Sequence, residues 1–149
     1  MAPLELIPIK PTLKENEEFL LHADCMTILP MTLDYYKVVG YRPPWISYFV
    51  RKEGKYVGGA GFKGQPINNK IEIAYGTFPD CQHQGIATEM CQELVLLALK
   101  TNPQVLITAR TFAEHNYSTR VLQHNSFDCL GIVWDQDDGE VWEWVYRKK

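Results

Sequence analysis

The residues with the clearest chemical potential lie in one short segment, "PDCQHQGIATEM", which runs from Pro79 to Met90. The first turn of a helix leaves backbone N–H groups without partners and carries partial positive charge, so it binds anions well. Small residues at Gly85 and Ala87 would let a phosphate approach that backbone. Polar residues precede the helix, namely Gln82, His83 and Gln84. Taken alone, the segment fits a diphosphate site and an ordinary tight turn equally well.

Two common phosphate-binding loops do not match this segment. The dinucleotide motif needs three spaced glycines, and the triphosphate motif needs a lysine after its second glycine. Here Gly85 stands alone and no lysine follows it. A dinucleotide or a nucleoside triphosphate is therefore disfavoured as the ligand.

The four cysteines show no spacing typical of a zinc or redox site. They are scattered along the chain at Cys25, Cys81, Cys91 and Cys129. We expect reduced thiols and no metal ion, with Cys81 as a bystander in the loop rather than a nucleophile.

Composition and charge narrow the range of partners. The net charge is −3 and the isoelectric point is near 5.8, which gives no general attraction to nucleic acid or to acidic membranes. No charged leader precedes a long apolar stretch, and no apolar run approaches the ~20 residues of a membrane span. We expect one cytoplasmic domain over residues 1–149.

The order of patterns along the chain predicts a mixed α/β sheet. Alternating apolar residues indicate strands at 4–9, 70–78 and 105–111, and hairpins at 45–64 and 127–146. Helical spacing predicts helices over 12–28, with a Thr12 cap, around 31–40, from 86 onwards, and over 116–127. The resulting order is β α α β β β α β α β β.

Four ordered blocks resemble the GNAT superfamily of acetyltransferases. The segment "EIAYGTFPDCQHQGIATEM" is similar to "EIGYxxxPxxQxxGxATEA", as written in the branch that contains the ribosomal-protein N-acetyltransferases. The other matching blocks are "GGAGFKGQP", "EHNYSTRVLQHNSF" and "DGEVWEW". The resemblance implies the GNAT fold, a twisted and mostly antiparallel central sheet flanked by helices.

The same resemblance implies acetyl-CoA as cosubstrate, with no metal, and assigns its binding residues. The backbone at Gly85, Ile86, Ala87 and Thr88, with Gln82 to Gln84, is expected to hold the pyrophosphate. The strand end at Gly76, Thr77 and Phe78 is expected to pair with the pantetheine amides and to aim an N–H at the thioester carbonyl. Either Asn116 or His115 takes a further cofactor contact, because the family spacing to Ser118 falls on His115.

Acid and base candidates are less sharply indicated. The tyrosine that many members of this superfamily use as acid is replaced here by Gln123. Ser118 matches the branch's serine and could hydrogen-bond the CoA sulfur, or it could cap the helix. Glu72 could act as base if a partly closed cleft raises its pKa, or it could be a solvated strand glutamate.

The predicted function is N-acetylation of a primary amine by direct attack in a ternary complex. A non-catalytic acyl-CoA sensor with the same fold is the alternative, motivated by the missing tyrosine and the shifted Asn116. The region expected to shape the acceptor site contains Tyr35, Tyr36, Arg42 and Trp45. Exposed hairpin edges make a homodimer possible.

Overall fold

A seven-stranded sheet with the order β1-β2-β3-β4-β5-β7-β6 forms the centre of the structure. The structure is a computed structural model that describes residues 3–147. Its strands are β1 (Leu4–Pro8), β2 (Ser47–Lys52), β3 (Lys55–Phe62), β4 (Lys70–Thr77), β5 (Leu106–Phe112), β6 (Phe127–Asp135) and β7 (Gly139–Tyr146). All neighbouring strands are antiparallel except β4 and β5. The predicted mixed, mostly antiparallel sheet is therefore confirmed.

Three α-helices accompany the sheet, and one prediction about them is wrong. They are α1 (Ala23–Val39), α2 (Ile86–Thr101) and α3 (Tyr117–His124), with short 3-10 helices at Lys14–Phe19 and Pro79–Cys81. The range predicted as one helix, 12–28, contains the 3-10 helix Lys14–Phe19 and then the start of α1. Helix α1 continues through Pro30 into the region predicted as a second helix. The Thr12 hydroxyl accepts the N–H of Glu15 at 3.4 Å, but the residue that precedes the 3-10 helix is Leu13, which makes no side-chain cap. None of these helices is long and apolar enough to cross a membrane within the described residues.

The principal core lies between α2 and one face of the sheet. Ile71 and Ile73 on β4 are each 2% exposed, whereas the intervening side of that strand carries the exposed Ala74 and Gly76. The predicted helix stripe is buried against the core at Met90, Cys91, Leu94, Val95 and Ala98. This packing fixes which face of β4 is left for a ligand.

Strands β4 and β5 run side by side for only three positions. Their parallel pairing ends at Glu72 and Thr108, after which β5 continues against β7 and β4 continues against β3. The sheet therefore opens into a V between the second half of β4 and the second half of β5.

A close strand approach at Gly58 gives a test of this packing. A Cβ on Gly58 would overlap the carbonyl oxygen of Gly76, whereas one on Gly59 would meet its nearest atom, the Tyr48 oxygen, at 3.6 Å. We expect Gly58→Ala to lower the free energy of unfolding by about 2 kcal/mol, since a forced backbone shift costs roughly 1–3 kcal/mol. Urea unfolding should show Gly59→Ala within about 0.5 kcal/mol of the parent. Equal losses in the two variants would contradict this account.

Candidate active site

The V between β4 and β5 exposes one backbone edge of β4. The backbone N–H of Lys63 donates to the backbone carbonyl oxygen of Glu72 at 2.9 Å. The backbone N–H of Phe78 donates to the carbonyl oxygen of Val57 at 2.8 Å. Because peptide groups alternate along an antiparallel strand, the even-numbered residues direct theirs toward β3. Tyr75 and Thr77 therefore direct their N–H and C=O groups into the V.

This alternation refines the prediction for the strand end. Of the three residues expected to pair with pantetheine, Thr77 has its backbone groups on the open edge. Gly76 and Phe78 use theirs within the sheet, and the Phe78 N–H is already bonded to Val57. A cofactor contact from Phe78 would have to come from another of its atoms.

The N-terminus of α2 lies close along the chain to this open edge. Gly85 precedes the helix with φ of +76°, and a Cβ placed on it would meet no atom within 4 Å. The first intrahelical bond runs from the N–H of Glu89 to the Gly85 oxygen at 3.2 Å. No side chain among residues 3–147 caps this terminus, so the N–H groups of Ile86, Ala87 and Thr88 remain available.

The loop before α2 is polar and solvent-facing. Gln82, His83 and Gln84 are all exposed, while Ile86 and Ala87 are buried and so anchor the first turn. The His83 ring lies 5.7 Å from the ring of Tyr117 at the start of α3. The exposed loop and the start of α3 therefore lie side by side.

The start of α3 is capped by Asn116. Its side-chain oxygen accepts the N–H of Thr119 at 3.1 Å, and the Thr119 hydroxyl accepts the N–H of Asn116 at 2.9 Å, which forms a capping box. The interpretation of Ser118 as the cap is thus wrong. Ser118 is exposed in the first turn and lines the V, whereas the His115 ring packs on Trp142 at 5.0 Å.

The V contains a cavity of about 220 Å³ with charged walls. Glu72 lies there between two cations, with Lys63 Nζ at 2.8 Å and Arg110 Nε at 3.8 Å. Arg110 also contacts Asp135 at 3.0 Å and Glu143 at 3.3 Å. The Glu72 side chain is 20% exposed. It is therefore an ion-paired carboxylate at the rim of the V, and its role as a base stays a prediction.

The partners of Glu72 were not predicted from the sequence. Arg110 and Glu143 are directly opposite each other on β5 and β7, and Asp135 ends β6. Arg110 lies in the segment "VLITART", for which the sequence predicts only a short apolar strand. Only the pairing of β5 with β7 shows that the charge has two carboxylates beside it.

A larger cavity of about 730 Å³, here called the α1 groove, lies between α1 and the strands β3 and β4. Of the four residues expected to shape the acceptor site, Tyr35 lines this groove. The Tyr36 hydroxyl instead donates to the Ile9 oxygen at 2.7 Å inside the core. Trp45 packs on Phe62 at 5.0 Å and forms a β-bridge with Arg42. None of those three residues lines the groove, and the role of all four at an acceptor site stays a prediction.

The Tyr75 side chain points to the face of β4 opposite to that of Ala74 and Gly76, as its position in the strand predicts. Its hydroxyl meets the Cys91 thiol within the α2 packing, where burial raises the pKa of Tyr75 and raises the pKa of Cys91 to about 12. Both groups are therefore neutral at physiological pH and play a packing role.

The sequence profile of the family described as "Acetyltransferase (GNAT) domain" matches residues 7–128. The chain belongs to the GNAT acetyltransferase family. The predicted family and the predicted enzyme class, an acetyl-CoA-dependent N-acetyltransferase, are thus confirmed. A search of curated protein sequences gives no match.

Solved structures of other GNAT proteins share the fold. RimL, a ribosomal L7/L12 alpha-N-protein acetyltransferase in complex with coenzyme A, aligns with a TM-score of 0.68 at 15% identity, covering 97% of this chain and 94% of its own. A putative GnaT-family acetyltransferase from Bordetella pertussis gives 0.67 at 16% identity, covering 99% and 98%. AAC(6')-Ib in complex with Parmomycin and acetyl-CoA gives 0.68 at 15% identity, covering 99% and 93%. The similarity to the RimL structure accords with the branch that the sequence resembles.

No cluster of histidine, cysteine, aspartate or glutamate within residues 3–147 is arranged to hold a metal ion. Three of the four cysteines are buried, and none lines the V in the described part of the chain. Among the described residues, the chemical groups that line the V include backbone amides, the hydroxyls of Thr111 and Ser118, and an ion-pair network.

The network around Arg110 makes a prediction about pH. The N–H of Asp137 and the Arg110 guanidinium hold the pKa of Asp135 below its ordinary value of about 3.9. A depressed pKa adds stability that is complete above about pH 4 and is lost as the pH falls through the folded-state value. Asp135→Asn should therefore be less stable than the parent at neutral pH, with a gap that narrows in acid. Urea midpoints measured across pH test this.

Asp128→Asn provides the control for that experiment. Asp128 lies on the same strand, is half exposed, and pairs with Arg147 at 3.4 Å. We expect this variant to track the parent across pH. A gap for Asp135→Asn that stays constant into acid would contradict the role given to its carboxylate.

Proposed function

We propose that the chain transfers the acetyl group of acetyl-CoA to a primary amine by direct attack in a ternary complex. The supporting observation is one continuous track in which the uncapped N-terminus of α2 leads to the open edge of β4. An anion site followed by unpaired strand amides suits a diphosphate attached to an extended chain that carries amides. Acetyl-CoA has that layout, and the family of this chain uses it.

The α2 terminus provides the diphosphate site in this proposal. The N–H groups of Ile86, Ala87 and Thr88 would donate to phosphate oxygens, and the helix dipole favours the negative charge. Gly85 keeps the space in front of them clear. His83 and the two glutamines beside it are exposed at the same mouth.

The open edge of β4 provides the pantetheine site. Tyr75 and Thr77 present N–H and C=O groups in the spacing that an added strand would use, so an extended amide chain can pair with them. One N–H on this edge would also donate to the thioester carbonyl as negative charge develops there. Such a donor contributes roughly 3 kcal/mol to transition-state stabilisation.

The reaction needs two proton movements beside the thioester. The amine nitrogen bonds to the carbonyl carbon, the carbon–sulfur bond breaks, and the nitrogen loses a proton while the thiolate gains one. In this proposal Glu72 accepts the proton from the amine, directly or through water, and Lys63 holds its orientation. The Ser118 hydroxyl lines the V and does not cap α3, so it can donate a hydrogen bond or a proton to the departing CoA sulfur.

The residues that line the V support direct attack rather than an acetyl-enzyme. A covalent route would need a nucleophilic thiol or hydroxyl beside a base. No cysteine of the described residues lines the cavity, and Ser118 is not hydrogen-bonded to a base there.

The known activities of the structural neighbours accord with this proposal. RimL was solved with coenzyme A, and AAC(6')-Ib with Parmomycin and acetyl-CoA or with Ribostamycin and coenzyme A. Their low identity leaves the acceptor of this chain open. A single GNAT domain, a cytoplasmic location and a homodimer stay predictions from the sequence.

Gly85→Glu tests the diphosphate site. The substitution puts a carboxylate into the open space in front of the α2 terminus, where it would repel a diphosphate and occupy its position. We expect the Kd for acetyl-CoA, measured by calorimetry, to rise at least about tenfold. Gly40→Glu is the control, because Gly40 also has a positive φ, of +87°, and also has no atom within 4 Å of an added Cβ. Unchanged binding in a folded Gly85→Glu protein would sink the assignment.

Glu72→Gln tests the proton acceptor. The amide keeps the shape of the side chain but removes the base, so kcat should fall about 100-fold while the Kd for acetyl-CoA stays near that of the parent. Glu5→Gln is the matched control, since Glu5 is another strand glutamate in an ion pair, with Arg51 at 3.1 Å. Release of the CoA thiol over a panel of amines is the readout.

The panel also separates the enzyme from the sensor alternative. An enzyme releases CoA thiol steadily with at least one amine, and only in the presence of that amine. Tight acetyl-CoA binding with no turnover on any amine would favour the sensor. Wild-type turnover by Glu72→Gln would remove Glu72 from the mechanism while leaving the transfer reaction in place.

A further inference from the structure

The α1 groove has a floor almost without side chains. It is formed by Gly59 and Gly61 on β3 and by Ala74 and Gly76 on β4. A Cβ placed on Gly76 would meet no atom within 4 Å, so the groove is open above that residue. A volume of about 730 Å³ lies in the range of small-molecule sites.

The middle of the groove is walled by apolar side chains. Ile28 and Met31 project from α1, and Phe49 and Phe78 contribute from the sheet side. Phe49 and Phe78 lie with their rings 6.5 Å apart. The apolar side chains of this part of the groove suit a slender hydrocarbon body.

Carboxylates stand toward the two ends of the groove. Asp24 lies in the first turn of α1, and Asp137 lies in the turn between β6 and β7. Asp137 and Tyr35 both line the groove, and Tyr35 is eleven residues after Asp24 on the same helix. At the rise of an α-helix, Asp24 and Tyr35 are about 16 Å apart along the axis of α1.

These two carboxylates are not neutralised by the protein. Neither Asp24 nor Asp137 makes an ion pair with any residue in the range 3–147. The one cation lining the groove is Lys63, whose charge is matched by Glu72 at 2.8 Å. The groove therefore presents net negative charge at both ends of an apolar body.

The turn that carries Asp137 is held in place by hydrogen bonds to the side chain of Asp135. Asp135 accepts the N–H of Asp137 at 2.9 Å and the N–H of Asp138 at 3.1 Å, and its other oxygen contacts Arg110 at 3.0 Å. The position of this end of the groove is thus set by the same guanidinium that neighbours Glu72. Only the opposite end, at Asp24, is independent of the catalytic network.

We propose that the α1 groove selects a linear amine with an apolar body and a second positive charge at its far end, as in an α,ω-diamine or a linear polyamine. This rests on the proposed transfer reaction, because the end nearest Glu72 must hold the attacking amine. Asp137 and Tyr35 meet that amine, the hydrocarbon chain crosses Ala74 and Gly76, and Asp24 pairs with the distal ammonium.

A series of α,ω-diamines of increasing length tests this, each compared with the monoamine of the same chain length. We expect kcat/KM to be highest for the diamine that spans the two ends. At that length it should exceed the value for the monoamine by about two- to fivefold, the effect of one exposed ion pair. High salt should reduce the preference because both carboxylates are exposed.

Asp24→Asn should remove the preference for the diamine and leave the monoamine unchanged. Asp34→Asn is the matched control, since Asp34 lies on the same helix, pairs with Lys37 and does not line the groove. A parent enzyme that prefers the monoamine, a hydroxylated amine or a peptide N-terminus would overturn the inference. So would equal losses for diamine and monoamine in Asp24→Asn.

Binding separates this inference from the proposed reaction. Calorimetry of the CoA-bound protein with the same diamine and monoamine needs no turnover. A diamine preference that Asp24→Asn abolishes would support the groove assignment even if no amine were acetylated, in which case the transfer reaction alone would fail. Equal binding of the two amines to the parent would overturn the groove assignment whatever the turnover.

Discussion

The separation of β4 from β5 after three paired positions is the constraint on which the rest of the site depends. Peptide groups within a sheet are normally satisfied on both sides, and leaving them unpaired is costly in the absence of water. Here β5 turns to pair with β7, so β4 keeps one side open from Tyr75 to Thr77. The open edge leads to the uncapped start of α2, and these two sets of free N–H groups make a single track.

The ion-pair network at Arg110 holds the other side of this opening. The guanidinium reaches carboxylates on β4, on β7 and at the end of β6, which lie on strands that do not all touch one another. Each contact is partly solvated, so none contributes much stability alone. Together these contacts determine geometry, because the Arg110 side chain positions Glu72 and the β6–β7 turn relative to each other.

Local patterns accounted for most of the fold and for the location of the loop. The period-2 run around Ile71 and Ile73 and the period-3.6 run from Met90 to Ala98 bury the faces that their spacing predicts. Two kinds of information were out of reach. Two separate helices were predicted, over 12–28 and around 31–40, but α1 continues through Pro30. The hydroxyl of Ser118 was weighed as a cap, although Asn116 forms a capping box with Thr119. The partners of Glu72 depend on cross-strand pairing, which no spacing along the chain records.

The open edge of β4 is also protected from other protein chains. An unpaired strand edge on the outside of a sheet invites pairing with another molecule, whereas this one is recessed between β3 and the diverging β5. One extended chain in this recess would complete the ladder on the open side of β4. Because the recess lies between two neighbouring strands, such a chain would be added within the sheet and would not extend it at an outer edge.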